Sequence, residues 1–390
     1  MISQRQLFLN HLAPTSPTPL LLEIEKAEGI YLYSPEGKKY IDLISGIGVS
    51  NVGHRHPKVI EAIEKQIQKY LHLMVYGEYI QTPQVALARK LIEVLPNNLE
   101  SVYFVNSGSE AVEGALKLAK RYTGRQEIIS CYQAYHGSSQ GALSVGGSEH
   151  FKRAYRPLLP AVRHIHYGSY SDLEKISSKT ACVIVETIQG EAGVKVACSN
   201  YFKALRERCS QCNALLILDE IQTGFGRTGR LFAFEHFGIV PDILVLAKGM
   251  GGGMPIGAFI ASKEMMQSLS HNPILGHITT FGGHPVSCAA ALASLEFILA
   301  EDLEVEKKAN LFYKLLQHPK ILSIRYKGLI MAVEFESFAV LKPIIDRAIE
   351  LGVITDWFLF CDNAMRIAPP LTISYQEIEE ACKIILQAMQ

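Results

Sequence analysis

Five short runs of β-forming residues, almost uninterrupted by polar positions, constrain this chain more than any other feature. They are SVYFV from Ser101, EIISC from Glu127, CVIVETI from Cys182, ALLILDE from Ala214 and DILVLAK from Asp242. A strand with one face in water alternates apolar and polar residues, so continuous apolar runs imply burial on both faces. Between the runs lie helical stretches such as EAVEGALKLAKRY, where Val112, Ala115, Leu116 and Ala119 share one face. The alternation, from about residue 85 to 262, predicts an α/β domain with a mainly parallel central sheet. Such sheets place ligand sites beyond the carboxyl ends of their strands.

The two ends of the chain read differently. YLYSPEGKKYIDLI near the start predicts an antiparallel hairpin around the Pro35 to Gly37 turn, and the last hundred residues mix helices with short strands such as LIMAVEFE from Leu329. The expected organisation is an N-terminal segment (1–55), a large domain (56–285) and a smaller α+β domain (286–390) that packs with the N-terminal segment. A chain of 390 residues has room for this. Hydrophobic residues at 48% against 19% charged leave little scope for a disordered tail, and a net charge of zero offers no steering toward nucleic acid or a membrane surface. The first residues show no basic leader followed by a long apolar stretch, so the expectation is a cytoplasmic protein. Cys209 and Cys212 form a CxxC without a second pair, and His54 and His56 lack a third ligand nearby; neither group predicts a metal site.

Three strand ends carry candidate chemistry. NSGSEA (Asn106–Ala111) follows a strand and opens an amphipathic helix, so N–H groups at Gly108, Ser109 and Glu110 would face an anion, with the Ser109 hydroxyl as a further donor; a plain serine cap with a glycine turn reads the same way. LILDEIQTG ends a buried strand in Asp219 and Glu220, carboxylates that need a partner: a protonated pyridine nitrogen, a helix N-terminus or a magnesium ion. In LVLAKGMGGGMPIGAF, Lys248 ends an apolar strand before a glycine run; at the edge of a low-dielectric site its amine loses a proton readily and becomes a nucleophile. Tyr135 in YQAYHG could stack on a planar group or sit in the core, and HITTFGGHP adds hydroxyls at Thr279 and Thr280.

Together with ETIQGEAG, DEIQTGFGRTG and MRIAPPL, in this order and spacing, these segments resemble the class III, ornithine/acetylornithine-type pyridoxal-phosphate aminotransferases over nearly the whole chain. The resemblance implies the fold type I architecture, pyridoxal 5'-phosphate as cofactor and a homodimer, possibly a dimer of dimers, with sites at the subunit interface. Lys248 matches the family's Schiff-base and proton-shuttling lysine, and Asp219 matches the partner of the pyridine nitrogen. Ser107, Gly108 and Ser109 match the phosphate cup. Ile221 and Tyr135 would flank the ring, Gln222 would sit by its phenolic oxygen, and His136 and Glu186 complete the cofactor-binding set. Thr280 matches a threonine that reaches the neighbouring subunit's cofactor. Arg366 matches the arginine that grips the α-carboxylate of glutamate or 2-oxoglutarate, and Glu191 the glutamate that masks it when an ω-amino donor is bound. The implied activity is transfer of an amino group from acetylornithine, ornithine or a related amino acid or diamine to 2-oxoglutarate, by a ping-pong cycle. An aminomutase or epimerase of the same family is the alternative enzyme; a scaffold that lost catalysis is the alternative without one.

The chain departs from the family at Ser138, where GRT usually supplies an arginine for the donor's distal carboxylate. Loss of that anchor removes about 2 kcal/mol in a desolvated site. Ile47 stands where ornithine aminotransferases carry a tyrosine. The donor is therefore expected either to lack the carboxylate or to be held by another basic residue such as Lys152 or Arg153, while the aromatic stretch Leu71 to Pro83 is expected to line the mouth of the site.

Overall fold

In the computed structural model, which describes residues 2–390, the five apolar runs are brought together in one seven-stranded sheet. Its order is Ser101–Val105, Gly257–Ala261, Ile243–Leu246, Leu215–Asp219, Thr180–Glu186, Glu127–Cys131 and Val162–Ile165. Neighbours are parallel except around Gly257–Ala261, which runs antiparallel to the strands on both sides. The absence of polar alternation now has its reason. Val183, Val185, Leu216 and Leu218 face one core, while Cys182, Ile184, Ile217 and Val245 face another on the opposite side.

The helix Gly108–Thr123 covers that second face with the apolar stripe read from the sequence. It lies so close to the sheet that a Cβ on Gly114 would come within 2.2 Å of the Phe259 ring. Helix Pro285–Ala300 packs on helices Pro57–Ile67 and Thr82–Glu93 and adds Cys288, Ala291 and Leu295 to the large core. The expected division at residue 286 thus falls at the start of a helix that belongs to the large domain's core, and the smaller unit's core takes up the chain at Val305.

That smaller unit is an antiparallel sheet ordered Ser323–Tyr326, Met331–Glu334, Cys361–Ile367 and Asp356–Phe358, flanked by three helices. The N-terminal hairpin, Tyr31–Tyr33 with Lys39–Asp42, joins it through Val353–Ile354, which pairs in parallel with Ile41 and Asp42.

Where the three segments meet, Arg227 is fully buried. Its guanidinium donates to the carbonyls of Leu329 and Pro369, at 2.9 and 2.5 Å, and to Asn51 Oδ1 at 2.6 Å. No carboxylate is among these acceptors, and burial pushes its pKa down to about 9. Beside it, Ser45 to Gly48 all adopt left-handed backbone angles, including the β-branched Ile47 at φ 65°. Such a run is strained. It persists because Asp42 accepts hydrogen bonds from the Ile44 and Ser45 N–H groups and the Ser45 hydroxyl donates to the Ala368 carbonyl.

Candidate active site at the carboxyl edge of the sheet

The parallel strands end on one edge, and a cavity of about 450 Å³ opens there. Its wall collects Ser107, Gly108, Ser109, Tyr135 and His136 with Glu186, Glu191, Asp219, Ile221, Gln222 and Lys248, residues that the sequence scatters over 142 positions from 107 to 248. The volume suits a small-molecule ligand.

Asp219 is the last residue of its strand and nearly fully buried. One carboxylate oxygen accepts from His136 Nδ1 at 2.7 Å and the other from the Ile221 N–H at 3.0 Å. Burial alone would lower the His136 pKa, but the hydrogen bond and charge of Asp219 override it and the pKa is raised. Glu220, the next residue, points the other way. It accepts from the Thr187 hydroxyl and the Ala233 and Phe234 N–H groups, never reaches the cavity, and burial raises its pKa to about 7. Glu186 pins two wall loops by accepting from the Tyr135 and Gly190 N–H groups; it too is raised to about 7, mainly by burial.

Lys248 follows its strand by two residues, at φ 47°, a left-handed conformation that turns the chain sharply into the glycine run. Gly249 is required there, since a Cβ would fall 2.4 Å from Asn51 Nδ2. Desolvation lowers the Lys248 pKa, with Glu191, Asp219 and Glu186 partly opposing it and Arg366 adding to it. The result is an amine more often neutral than a surface lysine, and hence nucleophilic.

At the other side of the cavity, Ser107 caps the helix Gly108–Thr123 by accepting from the Glu110 N–H, so that expected donor is taken by the cap, and the first N–H groups of Gly108 and Ser109 are left for an anion. The Ser109 hydroxyl accepts from the Ser138 N–H, and Gly137 must be glycine because a Cβ would sit 2.1 Å from Ser109 Oγ.

Arg366, on the strand Cys361–Ile367, is almost fully buried. It grips Glu191 through both terminal nitrogens, at 2.7 and 3.1 Å, and its Nε donates to Asp356 at 2.9 Å. Glu191 lines the cavity and stands in front of the arginine. The charge of Arg366 outweighs burial and lowers the Glu191 pKa, whereas burial wins at Asp356 and raises it to about 6. The difference follows from the bonding, since Glu191 also accepts from the Leu359 N–H and Asp356 has one bond to the guanidinium. Asp356 has no motif around it in the sequence; only the strand register, which sets it opposite Arg366, brings it to the site.

Thr280 is not brought to this cavity. It lies exposed, while its neighbour Thr279 accepts from the Asn106 side chain. Two further groups named from the sequence also lie off the wall of a single chain. Lys152 is buried 3.4 Å from His164 Nε2, and neither it nor exposed Arg153 is part of the wall. The stretch from Leu71 to Pro83 also contributes nothing to the wall of a single chain; Leu71, Tyr79 and Ile80 are exposed instead.

The profile of the family "Aminotransferase class-III" matches residues 12–389. An acetylornithine aminotransferase from Methanocaldococcus jannaschii is 40% identical, covering 91% of this chain and 90% of its own. The chain belongs to the class III aminotransferases. A putrescine aminotransferase from Pectobacterium atrosepticum is also 40% identical, over 90% of this chain and 79% of that protein. Among solved structures, an ornithine aminotransferase from Toxoplasma gondii, described with partial occupancy of the cofactor at its active site, superposes with a TM-score of 0.91 at 30% identity, covering 100% of this chain and 94% of that one.

Class III aminotransferases depend on pyridoxal phosphate. The wall fits that group on its own terms. His136 Nε2, Gln222 Nε2 and Thr223 Oγ1 are buried without partners, so polar groups there await a ligand. A helix N-terminus for an anion, a buried carboxylate and a partly neutral lysine match its phosphate, its ring nitrogen and its aldehyde. Among the described residues no group of three or more His, Cys, Asp and Glu is placed to hold a metal, and no helix is long and apolar enough to cross a membrane.

Proposed function

We propose that this enzyme moves an amino group from an ω-amino donor to 2-oxoglutarate, returning glutamate, in two half-reactions of a ping-pong cycle. The observation that carries the reading is Glu191, which lines the cavity and masks the buried Arg366 behind it. With the mask in place the pocket suits an amine; with it withdrawn, the guanidinium offers two parallel N–H donors to an α-carboxylate. An aminomutase or epimerase has no use for such an exchange.

The cofactor, when bound, supplies an electrophilic carbon and a ring that withdraws electrons. Lys248 would hold it, and its freed amine would carry the proton at the reacting carbon. Asp219, backed by His136, would keep the ring nitrogen protonated. Ser107, Gly108 and Ser109 would cup the phosphate, Ile221 and Tyr135 would flank the ring, and Gln222 would offer its unpartnered amide to the phenolic oxygen.

Thr280 would act across a dimer interface. It lies in an exposed apolar surface where Ile278 and Phe281 meet the stretch carrying Leu71 and Ile80, joined by the His72 ring 4.8 Å from Phe281. A surface of that kind favours a second copy of the chain. The cytoplasm is the expected compartment, and the eight free cysteines fit it.

For the donor, charge is the guide. Among the described residues Lys248 is the one lysine or arginine on the cavity wall, which also carries Glu186, Glu191 and Asp219, and Ser138 offers no guanidinium. Diamines and simple ω-amines therefore rank ahead of donors with a distal carboxylate such as acetylornithine. The test adds single donors to cofactor-loaded protein without keto acid and follows the absorption change as the cofactor passes to its amine form. Conversion by glutamate and by putrescine or cadaverine, but not by acetylornithine, is the expected result. Rapid conversion by acetylornithine would overturn the ranking, and failure of glutamate would overturn the reading as a whole.

A further inference from the structure

Arg366 is held by two carboxylates of different standing. Glu191 sits in a loop that follows the strand Thr180–Glu186 of the large domain, where Gly193 turns the chain at φ 83°. Asp356 sits on the strand Asp356–Phe358 of the smaller unit and faces Arg366 in register across neighbouring strands of one sheet. Two further contacts come from the same strand. The Trp357 carbonyl accepts from Nη2 at 3.0 Å, and the Phe358 ring lies 4.6 Å from the guanidinium carbon.

The division of the guanidinium follows from these positions. Its Nη1 and Nη2 edge is spent on Glu191, and its Nε on Asp356. A substrate carboxylate that displaces Glu191 takes the Nη1 and Nη2 edge and leaves the Nε bond intact. Between the two occupants, a buried guanidinium with no other anion would be left uncompensated, a costly state. Its pose would then rest on the Trp357 carbonyl and the Phe358 ring alone.

We propose that Asp356 is the positioning residue that keeps the Arg366 guanidinium oriented and charge-compensated while Glu191 is withdrawn. This rests on the masking of Arg366 by Glu191 described above. Asp356 touches neither the cavity wall nor the cofactor residues; it acts on substrate through Arg366. The exchange of one carboxylate for another then occurs at constant charge around a fixed cation. It confines the effect of Asp356 to the half-reaction that uses glutamate and 2-oxoglutarate.

The test uses glutarate, a dicarboxylate that cannot react, titrated calorimetrically into the cofactor-loaded enzyme, beside the half-reaction with an ω-amine donor. In Asp356→Ala the glutarate dissociation constant is expected to rise about tenfold, while the ω-amine half-reaction changes less than about twofold. Asp356→Asn, whose side-chain oxygen still accepts from Nε but carries no charge, should recover part of the affinity, the orientation without the charge compensation. Unchanged glutarate binding in Asp356→Ala, or an equal fall in both measurements, overturns the proposal, the second outcome being what a merely structural role produces. Should the alanine variant fail to fold, Asp356→Asn must still weaken glutarate more than it slows the ω-amine reaction, or the proposal fails. Arg366→Ala separates the two levels. If it binds glutarate as the wild type does, the masking itself falls and Asp356 with it; if only the Asp356 variants behave as wild type, the masking stands alone.

Discussion

Two buried arginines in this enzyme meet the same problem in opposite ways. Arg227 is surrounded by carbonyls and an amide oxygen, and burial pulls its pKa down; Arg366 is surrounded by carboxylates, which outweigh burial and raise it. The acids divide in the same manner. Glu220 is sealed among three neutral donors and raised to about 7, while Glu191 faces a cation and is lowered. A buried ion with neutral partners is a structural knot, because nothing in solution resembles its partners closely enough to replace them. A buried ion with an opposite charge on a loop is exchangeable, because a substrate carboxylate is a fair copy of Glu191. The contrast teaches where to look for a binding group among buried charges: beside a partner that a ligand can imitate.

The contrast can be broken in several places. The largest effect is expected from Arg227→Met, which leaves the Leu329 and Pro369 carbonyls and Asn51 Oδ1 buried without a donor. Stability should fall by about 4 kcal/mol in denaturant unfolding. A loss under about 1 kcal/mol would mean the knot is not structural. Arg366→Ala should instead leave more of the fold intact and act on one substrate. Its glutamate half-reaction is expected to slow about 100-fold, close to 2.7 kcal/mol, with ω-amine donors within about threefold. Parallel losses for both donors would erase the distinction between gate and knot.

A third test uses pH. Because the folded Glu220 holds its proton up to about pH 7 and an unfolded glutamate only to about 4.5, the folded chain binds more protons in that window. Its stabilising share is therefore complete below about pH 4.5 and is lost as pH rises through 7. Unfolding free energy should drop by on the order of 2 kcal/mol from pH 5 to pH 8, and Glu220→Gln should flatten the slope while lowering stability overall, with Glu186 leaving a residue. An unchanged slope in the variant would place the proton elsewhere. The smallest expected effect sharpens the donor side. Ser138→Arg, restoring a cation at the cavity's edge, should improve acetylornithine conversion about tenfold and leave putrescine nearly untouched. No gain would show that the missing guanidinium is not what sets the donor.

The motifs made much of the site legible. Lys248, Asp219 and the Ser107 to Ser109 cup all lie at strand ends, and a parallel sheet gathers its strand ends on one edge whatever the loops between them do. The hairpin around Pro35 was legible for a similar reason, because turn chemistry and strand pattern are local. Glu220 was the ambiguous member of its pair, since adjacent strand residues face opposite sides and a sequence does not say which side is the cleft. Arg227 stood inside a recognisable motif without any sign that three distant segments would close around it.

What the sequence determined by itself is the set of local decisions: which runs are buried on both faces, where helices begin, which residue types stand at the strand ends. Tertiary structure decided everything that depends on two elements meeting. It placed Asp356 opposite Arg366 through strand register, brought Glu191 across the domain boundary to mask that arginine, and buried Lys152 off the cavity wall. The reason is physical. Propensity and periodicity are carried by neighbours in the chain, whereas the charge state and partner of a buried ion depend on groups up to 182 residues away, as from Ser45 to Arg227.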